Sequence, residues 1–193
     1  MVLPAGSFVA ETEVKRSRFI AHLVPYEEFD AIRRRLREEH PKANHIVYAW
    51  RHINEYEQCL ERCDDDGEPK GCAGSPILTV MRGAALVETA ILVVRYFGGI
   101  KLGTGGMARA YAAAARTVIA EAELLPWQRR ERFTFRSGYG AQRQLLYLLE
   151  RLGIRPKCRF EGAGIFWELD APAEAIEDFR READRLIEPC ATG

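Results

Sequence analysis

The most apolar stretch of the chain, Ile91-Leu92-Val93-Val94, is unbroken and rich in β-branched residues, which predicts a central strand covered on both faces. Arg95, Tyr96 and Phe97 finish that strand. Gly98, Gly99, Gly103, Gly105 and Gly106 then fall within nine residues, a density that predicts loop backbone with positive φ or a close approach of other atoms. Past Gly106, Met107, Ala110, Tyr111, Ala114, Val118 and Ile119 share one helical face, so a helix is expected to about Glu123. Upstream, 7–14 and 18–24 read as strands, and Tyr26, Phe29, Ile32 and Leu36 trace a helix that Pro41 ends. Asn44 to Arg51 reads as a buried strand. A helix from Ser75, with Ser as its cap and Pro76 in its first turn, carries Ile77, Leu78, Val80 and Met81 as far as Gly83.

Leu124-Leu125-Pro126-Trp127 breaks the pattern and predicts a domain boundary, giving domains over 1–125 and 130–193. Beyond it the order is strand (Phe133 to Phe135), helix (Leu145, Leu146, Leu149, Leu152), hairpin around Glu161-Gly162, helix (Ile176, Phe179, Ala183, Leu186) and a short strand over Ile187 to Cys190. This is βαββαβ, the ferredoxin-like split βαβ order, so the fold class is α+β with two domains.

The charge balance limits the partners. Twenty-eight basic and twenty-eight acidic residues cancel over 193 residues, so any nucleic-acid contact must come from a local patch. Five cysteines at 59, 63, 72, 158 and 190, irregularly spaced, suit a reducing compartment. The absence of a CxxC pair argues against zinc. With no signal-peptide pattern and no apolar run of membrane-spanning length, a soluble cytoplasmic protein without membrane partners is expected.

Two dense motifs carry the candidate chemistry. Glycine backbone running into a helix N-terminus favours an anion, and Arg95, Lys101 and Arg109 can add charge-assisted bonds to phosphate that Gly98, Gly99, Gly103, Gly105 and Gly106 let approach. Neither a Walker A loop nor the Rossmann glycine spacing is present. The second motif, Asp64-Asp65-Asp66-Gly67-Glu68, has two open readings. Asp65, Asp66 and Glu68 hold a cation such as Mg²⁺, or their carboxylates bond local amides in an Asx-turn loop. One of these carboxylates could also reach Arg95 or Lys101 and join the two motifs into one polar site. His45, at the entrance of its strand, reads either as a satisfied structural residue or as part of that site.

Asp65-Asp66-Gly67-Glu68-Pro69 with Gly71, Ala73-Gly74 and Pro76, followed by Val94-Arg95-Tyr96-Phe97-Gly98-Gly99-Ile100-Lys101-Leu102-Gly103, Gly105-Gly106 and Arg109-Ala110-Tyr111, resembles the signature of the YigZ/Impact family. His45 with Tyr48-Ala49 resembles its shorter upstream motif. Cys72 departs from the pattern, since the family often has Thr there. The resemblance implies a ribosomal protein S5 domain 2-like N-terminal domain and a ferredoxin-like C-terminal domain similar to the last domain of elongation factor G. It implies a non-catalytic RNA- or ribosome-associated protein with a role in translation or its regulation, with no required cofactor, no DNA specificity, and a translation-related protein as a further partner. Two alternatives stay open: an enzyme acting with Mg²⁺ on a small phosphorylated or nucleotide ligand, and a protein-interaction regulator.

Overall fold

Five strands carry the N-terminal half: β2 (Phe8–Val14), β3 (Ser17–Pro25), β4 (His45–Ile53), β5 (Cys59–Asp64) and β6 (Thr89–Tyr96), the short β1 (Val2–Pro4) preceding them. They form an antiparallel sheet in the order β2-β3-β6-β4-β5. The computed structural model describes residues 1–162 and 164–190.

β6 lies at the centre, which explains its unbroken apolar sequence. Leu92 and Val94 face α1 (Phe29–Glu39), packing with Ile32, Leu36 and Tyr48. Ile91 and Val93 face α2 (Gly74–Gly83) and α3 (Gly103–Glu121), packing with Ile77, Met81, Tyr111 and Ala114. A strand buried on both sides cannot alternate. The edge strand β5 escapes sequence reading for the opposite reason: Cys59, Leu60 and Arg62 are exposed and charges interrupt its pattern, as suits a sheet edge. β7 (Leu124–Pro126) ends the helical run as its Pro implies, but it also pairs with β1, Leu3 opposite Leu125.

Two expected boundaries need correction. α3 starts at Gly103, so Gly105 and Gly106 lie inside the helix and neither takes positive φ. Packing of Ala110, Tyr111 and Ala114 against the sheet sets the helix, and its first turn extends back through residues of poor propensity. Ser75 is likewise inside α2 rather than its cap.

The chain divides into two compact units, Met1–Trp127 and Gln128–Gly193, and residue 193, the expected end of the second domain, lies outside the described residues. The second unit runs β8 (Arg130–Gly138), α4 (Gln142–Arg151), β9 (Lys157–Glu161), β10 (Gly164–Pro172), α5 (Ala173–Ala183) and β11 (Glu188–Pro189). Its antiparallel sheet has the order β11-β8-β10-β9, with Trp167 opposite Phe135 at the core. The Trp167 indole N–H donates to Ser137 Oγ at 2.9 Å, satisfying the polar tip of a fully buried ring. The architecture is mixed α and β in two units. Among the described residues no helix is long and apolar enough to cross a membrane.

His22 on β3 is buried, and among the described residues its Nε2 has no hydrogen-bond partner. Burial, with lesser contributions from His40 and Arg35 against Glu39, lowers its pKa to about 4. A folded-state value below the unfolded one means that the unfolded chain binds the extra proton. Stability is therefore full above about pH 6.5 and falls as pH drops toward 4, by roughly 3 kcal/mol at the limit. His22→Leu should remove that part of the slope. Wild-type and mutant stability curves that run parallel from pH 7 to pH 4 would contradict the assignment.

Candidate functional site

The acidic loop between β5 and α2 is held by its own carboxylates. Asp64 Oδ1 accepts the Asp66 amide at 2.8 Å. The Asp65 carboxylate accepts the amides of Gly71 (2.7 Å), Ala73 (3.1 Å) and Gly74 (2.8 Å). It thereby caps α2, whose own N-cap residue Ala73 supplies no side chain for the purpose. Asp66 Oδ2 accepts the Ile46 amide at 2.6 Å and Oδ1 receives Arg37 at 2.5 Å, tying the loop to β4 and α1. Of the two readings of this motif, the geometry is that of an Asx-type loop. The Cys72 thiol makes a long contact to the Lys70 carbonyl oxygen at 3.9 Å.

His45 Nδ1 lies 2.7 Å from the Asp66 carbonyl oxygen. A carbonyl can only accept, so Nδ1 carries the proton and Nε2 is left facing Glu68 Oε2 at 3.8 Å. Glu68 itself is buried beside Arg95 and Tyr111. Its Oε1 accepts from Arg95 Nη1 and, at 2.8 Å, from the Tyr111 hydroxyl. Glu68 is thus the carboxylate that joins the acidic loop to the end of β6. Burial, and then the Glu68 charge, push the Tyr111 phenol pKa well up, so it stays a proton donor. Arg95 is further enclosed by Phe19 and Phe97, with its Cζ 5.5 and 5.8 Å from the two ring centroids, and among the described residues its Nε has no hydrogen-bond partner.

Above this cluster opens a groove of about 440 Å³. It is lined by the buried Arg95 and Glu68, by the apolar Pro69, Phe97, Leu102 and Met107, and by His45, Lys101 and the start of α3. α3 has neither a side-chain cap nor an acidic residue in its first turn, so its amides and the positive end of its dipole are unopposed. Gly103 begins the helix at φ +69°. Lys101 and Arg109 are exposed, and among the described residues neither has an ion-pair partner. Arg109 lies on α3 outside the groove lining, with its guanidinium beside Gly105. The expected basic trio therefore separates: Lys101 at the groove, Arg109 on the helix surface, and Arg95 buried and engaged by Glu68.

The glycines separate as well. Gly98 packs on the backbone of Arg16 at the turn between β2 and β3, its amide donating to Ser17 Oγ at 3.1 Å, whereas Gly105 is open and Gly106 meets Leu102. Two members of the site escape a reading by sequence periodicity. Tyr111 reads as a core residue on the apolar face of its helix, although a buried phenol needs a partner and that need points to a nearby carboxylate. Phe97 reads as the end of a strand, yet it is 46% exposed and forms a groove wall. Among the described residues no three His, Cys, Asp or Glu side chains converge as a metal-ligand set.

Residues 15–119, which span both dense motifs and every side chain of this cluster, match the Impact N-terminal domain. An IMPACT family member of Haemophilus influenzae is 33% identical over 184 residues, covering 94% of this chain and 89% of the relative. The IMPACT family member YigZ of Escherichia coli is 41% identical over 113 residues, covering 57% of this chain and 55% of the relative. A crystal structure of a hypothetical protein is similar with a TM-score of 0.68 at 28% identity, covering 100% of this chain and 97% of that one. The chain belongs to the IMPACT family.

Proposed function

We propose that this protein is a non-catalytic, RNA- or ribosome-associated factor acting in translation or its regulation, and that the groove above Arg95 and Glu68 is its phosphate contact. The observation that carries the reading is the pairing of an uncapped α3 N-terminus with Lys101, which lines the groove, is exposed and has no ion-pair partner among the described residues. Helix-terminal amides and a free ammonium are what a phosphate oxygen needs, and Arg109 adds charge one turn further on. Because the whole chain is neutral, such a patch favours a shaped RNA or a ribosomal surface over bulk duplex. The Mg²⁺-nucleotide alternative is weakened by the acidic loop, where backbone amides and Arg37 already occupy the Asp64, Asp65 and Asp66 carboxylates. We read the first unit as S5 domain 2-like. The second we read as ferredoxin-like, supported by its βαββαβ order and the strand order β11-β8-β10-β9.

The test is RNA and ribosome binding by the purified protein across a salt series, with Lys101→Ala beside the wild type. Loss of one phosphate contact should weaken binding and reduce the slope of log K against log salt by about 1. An unchanged slope in the mutant would place the contact elsewhere. No binding at low salt would remove the reading.

A further inference from the structure

The groove is more than a cationic spot, and its other features say what accompanies the phosphate. Duplex backbone needs only surface charge, and apolar walls would gain nothing from it. Here Phe97, Leu102 and Met107 line the same recess as Lys101 and the first residues of α3. Phe97 is half exposed and lines the groove, with the Arg95 guanidinium carbon 5.8 Å from its ring centroid. Arg95 is 5% exposed and lines the groove with Glu68, so a buried, paired cation lies beside the free helix amides. A volume of about 440 Å³ is at the small end of the range for pockets that enclose a compact organic ligand. An amphiphile with a flat apolar body and an anionic end matches these parts.

We infer that the groove takes a single unpaired nucleotide of an RNA strand, its base laid against Phe97 and its phosphate at Lys101 and the opening amides of α3. The inference rests on the phosphate reading of the same groove and adds the base. Bases become available for stacking on an aromatic side chain only where they are unstacked from their neighbours, in single strands, loops and bulges. Phe97 is then the residue that discriminates single-stranded from double-stranded RNA, whereas Lys101 serves both.

Three labelled probes separate these roles by fluorescence anisotropy: a short unstructured RNA strand, its blunt duplex, and an abasic ribose-phosphate strand of equal length. The wild type should bind the unstructured strand about tenfold or more tightly than the abasic strand or the duplex. Phe97→Ala should lose about tenfold on the unstructured strand and nothing on the abasic strand, and Lys101→Ala should lose affinity for both. Phe97→Leu keeps an apolar side chain without a π face and should lose nearly as much as Phe97→Ala, which also guards against an effect of altered folding. Equal affinity for strand and duplex, or wild-type binding by Phe97→Leu, would overturn the single-nucleotide inference while leaving the phosphate contact in place if salt dependence persists. Absence of salt-dependent binding to all three probes would overturn both.

Discussion

Glu68→Ala should cost the N-terminal unit about 3–5 kcal/mol, because it leaves the Arg95 guanidinium buried without its counter-charge and the Tyr111 hydroxyl without its acceptor. Hydrogen exchange of the β6 amides reads this unit alone, since β6 lies wholly within it. A loss below about 1 kcal/mol would mean that water or a rearranged side chain satisfies Arg95, and that the cluster is not the enclosed network described above. The size of the loss does not make the pair a good stabiliser. Desolvating two charges costs several kcal/mol, and well-packed apolar residues of similar volume often do as well or better. Replacing the whole cluster, Glu68→Met with Arg95→Met and Tyr111→Phe, should therefore recover most of the stability lost in Glu68→Ala.

Gly98→Ala should also be severe, by at least about 3 kcal/mol. A Cβ there would sit 2.0 Å from the Arg16 carbonyl carbon, 2.1 Å from its oxygen and 2.5 Å from the Ser17 nitrogen. All three are backbone atoms of a tight turn in which Lys15 and Arg16 already have φ of 47° and 65°. The strain cannot be relieved by a rotamer change, so either the hairpin or the loop after β6 must move. Gly105→Ala provides the contrast. Its Cβ would meet only the mobile end of Arg109 at 3.4 Å in a helical backbone, and it should stabilise by about 0.5–1 kcal/mol. Thermal unfolding of the two mutants should shift in opposite directions. Equal losses would show that the glycines act together as a flexible loop.

The difference between these two glycines shows where sequence reading stops. Composition marks a glycine-rich stretch, but only the approach of the β2–β3 turn makes one of its members indispensable. The central strand, the three helices around it and the alternation of the second unit were legible because burial imposes a period on apolar residues. β5 and the β1–β7 pair were not, since an exposed edge and a three-residue strand impose almost none. The acidic loop shows the same limit on the chemical side. Spacing alone puts four carboxylates near one another, and folding sends Asp64 and Asp65 to local amides, Asp66 to β4 and α1, and Glu68 inward to Arg95. Which carboxylate crosses to the second motif depends on a long-range register that no local pattern records.

Glu68 and Arg95 are the buried part of the groove lining, so the shape of the groove depends on their network. The most direct test is to measure RNA affinity and stability together in the repacked variant carrying Glu68→Met, Arg95→Met and Tyr111→Phe. The account predicts stability within about 1–2 kcal/mol of the wild type, with RNA affinity weakened through the altered groove lining while the salt dependence supplied by Lys101 persists. A repacked protein that binds RNA as the wild type does would contradict it, and would reduce the buried Glu68–Arg95–Tyr111 cluster to a feature of the fold.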